Sequence, residues 1–229
     1  MNPAHALAAR LASDPGAPLI TFYDDADGTR VELSAATLAN AVAKTAGLLV
    51  DGLGLLPGDE VGVALPLHWR TPVVLLACWS AGCPPALGST GGAAAFVTRE
   101  AVETATAGEV IAVGLDPFGR PLTGLPVGVN DLADAASYAD TFTPTAPLQL
   151  DDGPSLPASA RVLTVRDYSD DEATWIGLLG PLAADGSVVI VAHAHASVLG
   201  ERCATELVTH TYGITVDALP RLDRARPPT

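Results

Sequence analysis

Lysine is the scarcest functional group in this sequence: of twelve basic residues only Lys44 is a lysine, the other eleven being arginines. Against them stand 26 acidic residues, giving a formal net charge of −14 and a sequence pI of about 4.5. A chain so poor in cations cannot displace counterions from nucleic acid or an anionic bilayer, so neither is expected as a partner. Aromatic residues make up only 5%, so the core must come from the Ala, Val and Leu that dominate a 48% hydrophobic content. The three cysteines, Cys78, Cys83 and Cys203, include no CxxC pair and form an odd set. They read as buried free thiols of a reducing compartment. The most apolar segment, Val73 to Gly82, is far shorter than the ~20 residues of a membrane span. The N-terminus lacks a basic stretch followed by an apolar one, so no signal peptide is expected, and the expected location is the cytoplasm. There is no Gly-x-Ser-x-Gly, no dinucleotide fingerprint and no Walker loop.

With 229 residues the chain can bury a substantial core. His5 to Ala12 reads as a short helix. Pro18 to Tyr23 and Arg30 to Leu33 read as strands joined across the acidic turn Asp24-Asp-Ala-Asp-Gly28, a hairpin signal. Ser34 stands at an N-cap position before a helix reaching about Asp51, with Leu38, Val42 and Leu49 on its apolar stripe and Gly52 and Gly54 at its end. Pro57-Gly58-Asp59 is a tight turn, since proline presets φ, glycine accepts φ > 0 and the aspartate can bond the turn's amides. The apolar run from Val61 to Leu65 has no polar face and reads as a strand covered on both sides. A helix follows from Trp69 to Gly82, then a loop from Cys83 to Gly92. Short apolar runs at Ala94–Val97 and Val110–Val113 flank a helical turn. From Asp116 to about Pro157 order degrades, with one short helix near Asp131–Tyr138. Such a stretch is a lid, a linker or the residue of a deletion. Beyond it come a strand (Val162–Val165), a helix (about Asp171–Ala183), a strand (Ser187–Val191), a helix (about Ser197–Tyr212) and a last strand (Thr215–Leu219). Asp170, Asp171 and Glu172 stand at a helix start, where they suit the positive end of the dipole and read as capping residues, with a metal or cation site as the alternative. This alternation specifies an α/β fold with a mainly parallel sheet flanked by helices and an N-terminal β-hairpin. It is read as one domain over 1–220, with the irregular 116–157 stretch inside it and a frayed tail at 221–229.

Three segments resemble the adenylate-forming superfamily of acyl-CoA synthetases, luciferases and peptide-synthetase adenylation domains. They are "GLGLLPGDEVGVALP…TPVVLLACWSAGC", "GLLGPLAADGSVVIV" and "ELVTHTYGITVDALP". The resemblance implies the superfamily's N-terminal subdomain, truncated and internally deleted. It also implies where the chemistry should lie. The superfamily holds ATP with an "(S/T)GTTGxPKG" loop between the matched parts. Here that interval, Asp131 to Pro157, has no glycine-rich run and no lysine, and Asp140, Asp151 and Asp152 would repel phosphate unless a metal bridged them. The "YGxTE" segment, the ribose-binding aspartate and the lid lysine would fall beyond Pro220. Lys44, on the first long helix, cannot replace that lysine. Where relatives present an aromatic residue or histidine to the acyl pocket, this chain has Asp167-Tyr-Ser-Asp-Asp-Glu172.

The one stretch with the composition of a phosphate loop is Gly88, Ser89, Thr90, Gly91 and Gly92. It lies too early for the family's loop and does not join a clear strand to a clear helix. It reads as a plain turn, with a remnant anion or cofactor site as the alternative. His193 and His195 could share a strand edge, with Cys203 or His210 approaching, but no third ligand sits at a fixed spacing for zinc. Cys83 could act as a nucleophile only if a histidine approached it. No catalytic residue, metal or cofactor is therefore assigned. The expected function is that of a pseudoenzyme of the AMP-binding superfamily, binding a small ligand or a protein partner. One alternative is a residual adenylate-forming or acyl/CoA-binding enzyme. The other is a homodimeric interaction protein covering apolar surface left by truncation.

Overall fold

The computed structural model describes residues 1–222; the expected tail beyond Leu222 lies outside the described residues. The first part of the chain forms α1 (Pro3–Ser13), β1 (Pro18–Asp24), β2 (Thr29–Ser34), α2 (Ala35–Gly47), β3 (Val61–Ala64), α3 (Arg70–Ala81), β4 (Pro85–Leu87), β5 (Ala94–Thr98), β6 (Glu109–Val113) and β7 (Val129–Asp131). After an irregular strap come β8 (Arg161–Thr164), α4 (Asp171–Thr174), α5 (Gly180–Ala183), β9 (Ser187–Ala192), α6 (Ala196–Thr205) and β10 (His210–Tyr212). The strands divide between two five-stranded sheets, ordered β10-β8-β9-β1-β2 and β4-β3-β5-β6-β7. Only the β1–β2 hairpin is antiparallel; every other named pairing is parallel.

Parallel strands need cover on both faces, which explains their unbroken apolar runs. Ile20, Phe22, Val162 and Ile190 of the first sheet share one core with Val61, Phe96 and Ile111 of the second, and α2 and α3 join them there. Helix α3 is buried at every position from Thr71 to Ala81, as a helix enclosed between sheets must be. On the outer side of the first sheet, Leu199 and Cys203 of α6 cover Leu163, Val189 and Val191. Outside the second, a 3₁₀ turn (Arg99–Thr104) places Val102 over Ala95, Val97 and Ala112.

The local signals act as expected at several points. Ser34 caps α2, its hydroxyl accepting from the Thr37 amide at 3.2 Å. In the Pro57-Gly58-Asp59 turn, Gly58 has φ +98° and the Asp59 carboxylate accepts from the Leu56 amide at 2.8 Å. Gly82 ends α3 in the left-handed conformation. Asp170 caps α4 through the Ala173 amide at 2.7 Å. All three cysteines are buried and unbridged.

Other elements differ from expectation. The stretch expected as loop from Cys83 holds β4, an edge strand that tolerates Pro85 because its first residue need not donate to a ladder. Among the described residues the last strand is His210–Tyr212, and Thr215–Leu219 forms none. Leu207, at φ +52°, stops the preceding helix earlier than its apolar pattern implied, and the Val208 amide closes it on the Cys203 carbonyl at 2.9 Å. The long helix after Asp170 passes between α4 and α5 through a π turn, Trp175–Leu179, and α2 ends in another, Leu48–Gly52. Arg221 and Leu222, expected in the tail, pair with Thr211.

The strap is irregular yet anchored along its length. Asp140 pairs with Lys44 at 2.9 Å, and the Leu148 amide donates to the Trp79 carbonyl at 3.0 Å. The Leu150 amide donates to the Met1 carbonyl at 2.8 Å, and the N-terminal amine pairs with Asp152 at 2.9 Å. Phe142, Leu148, Leu150 and Leu156 pack on the common core.

Candidate functional site

In open α/β sheets, the strands' carboxyl ends leave a crevice that no strand fills. Here such a crevice lies between the two sheets. It is a cleft of about 410 Å³, lined by Val63 and Ala64 at the end of β3, Leu65 and Pro66 after it, Thr71 at the start of α3, Gly88 after β4, Thr98 at the end of β5, and Asp167 to Ser169 after β8. Its walls are apolar, with hydroxyls and one carboxylate at the rim, and no arginine, lysine or histidine among the described residues lines it. The Thr71 hydroxyl donates to the Pro66 carbonyl at 2.8 Å and so braces the loop after β3. The Tyr168 hydroxyl donates to the Gly177 carbonyl at 3.3 Å. Burial pushes the Tyr168 phenol well above its ordinary range, so it stays protonated and braces the wall instead of exchanging protons.

Of the glycine-rich stretch, only Gly88 lines this cleft. The rest runs back over the face of β3 to reach the start of β5. A side chain at Gly62 would meet the Ser89 and Gly91 carbonyls at 2.6 and 2.5 Å, which is why β3 carries a glycine there. The Gly88 amide donates to the Val63 carbonyl at 2.9 Å, the Ser89 amide to the Ala86 carbonyl at 3.2 Å, and the Gly91 amide to the Ser89 hydroxyl at 3.1 Å. The Thr90 carbonyl accepts from the Thr106 and Ala107 amides at 2.9 and 3.1 Å. Glycine is used at this site for a close backbone crossing, with three of the stretch's amides already paired inside the protein.

The remaining sequence candidates do not converge. His193 Nδ1 lies 2.7 Å from an Asp24 carboxylate oxygen, and the His195 amide donates to Asp25 at 2.7 Å. His210 meets the neighbouring Thr209 hydroxyl at 2.8 Å. Among the described residues, no three His, Cys, Asp or Glu side chains gather as metal ligands. Cys83 has no histidine beside it; its thiol points to the Leu56 carbonyl at 3.7 Å. Burial, helped by Asp59, raises that thiol to about 11, and burial also raises Cys78 and Cys203. None is a thiolate at neutral pH.

One group that the sequence did not flag is His68-Trp69-Arg70, in the loop and first turn after β3. Its position directly behind a parallel strand was the available signal. The His68 ring stands edge-on to Phe22, with centroids 4.8 Å apart, and accepts the Arg70 amide at 3.2 Å. Burial, and then the Arg70 charge, lower its pKa to about 4. The Arg70 guanidinium lies over Trp69, 4.6 Å from the ring centroid, and its buried Nε has no hydrogen-bond partner.

The fold is shared with part of the solved acyl-CoA synthetases. The structure superposes on acetoacetyl-CoA synthetase from Streptomyces lividans with a TM-score of 0.71 at 16% identity, covering 93% of this chain and 42% of that enzyme. It superposes on an acyl-CoA synthetase from Brucella canis with a TM-score of 0.73 at 15% identity, covering 93% of this chain and 47% of that enzyme. The chain thus spans less than half the length of either solved synthetase. At the level of sequence no protein-family model matches. A Mycobacterium tuberculosis protein described as "TIGR03089 family protein" is 41% identical over 87% of this chain and 93% of its own length. The chain belongs to the TIGR03089 family.

Proposed function

We propose that this chain is a non-adenylating pseudoenzyme that works as a binding module, taking a small phosphate-free ligand in the carboxyl-edge cleft. One observation carries this reading: the segment standing where the superfamily resemblance implies a phosphate loop is committed to packing. Tyr138 fills the space over Gly47 and Gly52 at the end of α2, Asp140 occupies the single lysine, and the Pro154 carbonyl accepts the Trp175 indole N–H at 2.9 Å. The cleft offers apolar walls, hydroxyls and a carboxylate, a lining suited to an uncharged acyl compound and unsuited to a triphosphate.

Thermal melts with ATP–Mg²⁺, AMP and an acyl-sulfamoyl adenylate mimic test the first half of the proposal. None should shift the transition. A ligand present at about 100 times its Kd adds about 2.7 kcal/mol of stability, so stabilisation by the mimic would sink the pseudoenzyme reading. A panel of short acyl amides tests the second half: shifts seen with the native protein should vanish in a Thr98→Phe variant whose side chain fills the cleft. Amide shifts that survive that substitution would place the ligand elsewhere.

A further inference from the structure

A second cavity, of about 330 Å³, lies between the edge strand β4 and the helix that begins at α4. Trp79 of α3 and Trp175 of the π turn form its aromatic walls, and the strap residues Leu148 and Leu150 close it. Two carboxylates, Asp151 and Asp171, share its lining, and among the described residues no basic side chain does.

We propose that the cavity between Trp79 and Trp175 is a binding site for an organic cation with an apolar body, such as an aryl or alkyl ammonium. The inference goes beyond the carboxyl-edge cleft and does not depend on it. Three features support it. The two indoles in the lining can bury the hydrocarbon of an ammonium and attract its charge through their π systems. Neither Asp151 nor Asp171 forms an ion pair among the described residues, although arginines elsewhere find carboxylates readily. A carboxylate left without a partner at the edge of an apolar cavity gains from a ligand that brings the opposite charge, and the chain's net charge of −14 favours a cation's approach.

The walls are also fixed before any ligand arrives. The Trp175 indole N–H is held by the Pro154 carbonyl at 2.9 Å. Its ring lies so close to Gly153 that a side chain there would come within 2.5 Å. The strap itself is tied by the Leu148 and Leu150 amides to the Trp79 and Met1 carbonyls. The π turn falls at the same place, Trp175–Leu179, and such local widenings of a helix concentrate at functional sites. A site so pre-formed loses little entropy on binding.

The test is a titration of the full chain with benzyltrimethylammonium chloride, followed by tryptophan fluorescence and calorimetry. Its uncharged isostere, neopentylbenzene, and the anion phenylacetate serve as comparisons. The cation should saturate one site and bind at least tenfold more tightly than the isostere, with phenylacetate weaker than either. The Asp151→Asn/Asp171→Asn double variant should lose at least tenfold for the cation and nothing for the isostere. Both residues are exposed, so folding should survive, and a melt of the free variant checks it. Equal affinity for cation and isostere, or cation binding indifferent to the double substitution, would overturn the proposal.

Discussion

At the scale of single residues, burial and hydrogen-bonding partners divide the control of ionisation in this protein. His68 is 5% exposed, and its pKa falls from the ordinary 6.5 to about 4 because burial, then Arg70, disfavours the imidazolium. In the unfolded chain the same ring ionises near 6.5. Between those values the unfolded state binds a proton that the folded state refuses, so stability falls on acidification through this window and is unaffected by this group above it. The gap corresponds to about 3 kcal/mol, most of it lost by pH 4 and the rest just below. A His68→Asn variant keeps an acceptor for the Arg70 amide but does not titrate. Urea unfolding at pH 7 and pH 4 should show the native protein losing about 3 kcal/mol more than the variant. Parallel losses would assign the acid sensitivity to other groups. Glu206 contrasts with His68. Burial would raise its carboxyl, but hydrogen bonds from Tyr23, Arg161 and Arg30 win and hold it low. That stability is present above the ordinary carboxylate range and is lost only below it, a separate and more acidic window.

At the scale of elements, what the sequence disclosed was local. The Ser34 cap, the Pro57-Gly58-Asp59 turn and the Asp170 cap each depend on residues within four positions of one another, the hairpin is announced by its acidic turn from Asp24 to Gly28, and each is read correctly. β4 escaped because Pro84-Pro85 looks like loop until the edge position in the sheet is known. The last strand was displaced because Thr209–Tyr212 and Thr215–Leu219 carry similar β-branched patterns, and the choice falls to Leu207, a leucine in a left-handed conformation that no propensity favours. The π turns gave no signal, being set by tertiary packing. Glycines divide in the same way. Gly62 is required by a crossing chain: its added Cβ would face two backbone carbonyls that cannot swing aside. Gly200, exposed on α6, has nothing within 4 Å of its added Cβ. Gly62→Ala should therefore cost about 2–3 kcal/mol by overpacking, while Gly200→Ala should gain about 0.5–1 kcal/mol through helix propensity. Urea midpoints at constant m would show the opposite signs. A neutral Gly62→Ala would mean that the Ser89–Gly91 crossing is not held against β3.

At the scale of the whole molecule, the cleft and the Trp79–Trp175 cavity were illegible in sequence because each joins segments from distant parts of the chain. Net charge, by contrast, is a global quantity that the sequence fixes completely, and it too has a consequence for stability. With 26 acidic residues against 12 basic ones, fourteen carboxylates lack a one-to-one cationic partner at neutral pH. Folding compresses these charges, and their repulsion opposes it. The attractions that favour folding are of two kinds. Exposed pairs such as Arg120–Asp116 contribute little. The sheltered pair Arg161–Glu206, with side chains 15% and 7% exposed, is poorly reached by salt. Raising the ionic strength from about 0.01 M to about 0.15 M shortens the Debye length from about 30 Å to about 8 Å. It should therefore screen the diffuse repulsion much more than the clustered attraction. The melting temperature at pH 7.5 should rise, by about 2–4 °C if screening recovers about 1 kcal/mol in a chain of this size. Repeating the melt in the Glu206→Gln variant, which lacks the central carboxylate of the sheltered cluster, should give a rise at least as large. A melting temperature that falls with salt in the native protein would mean that attractive surface pairs outweigh the global repulsion.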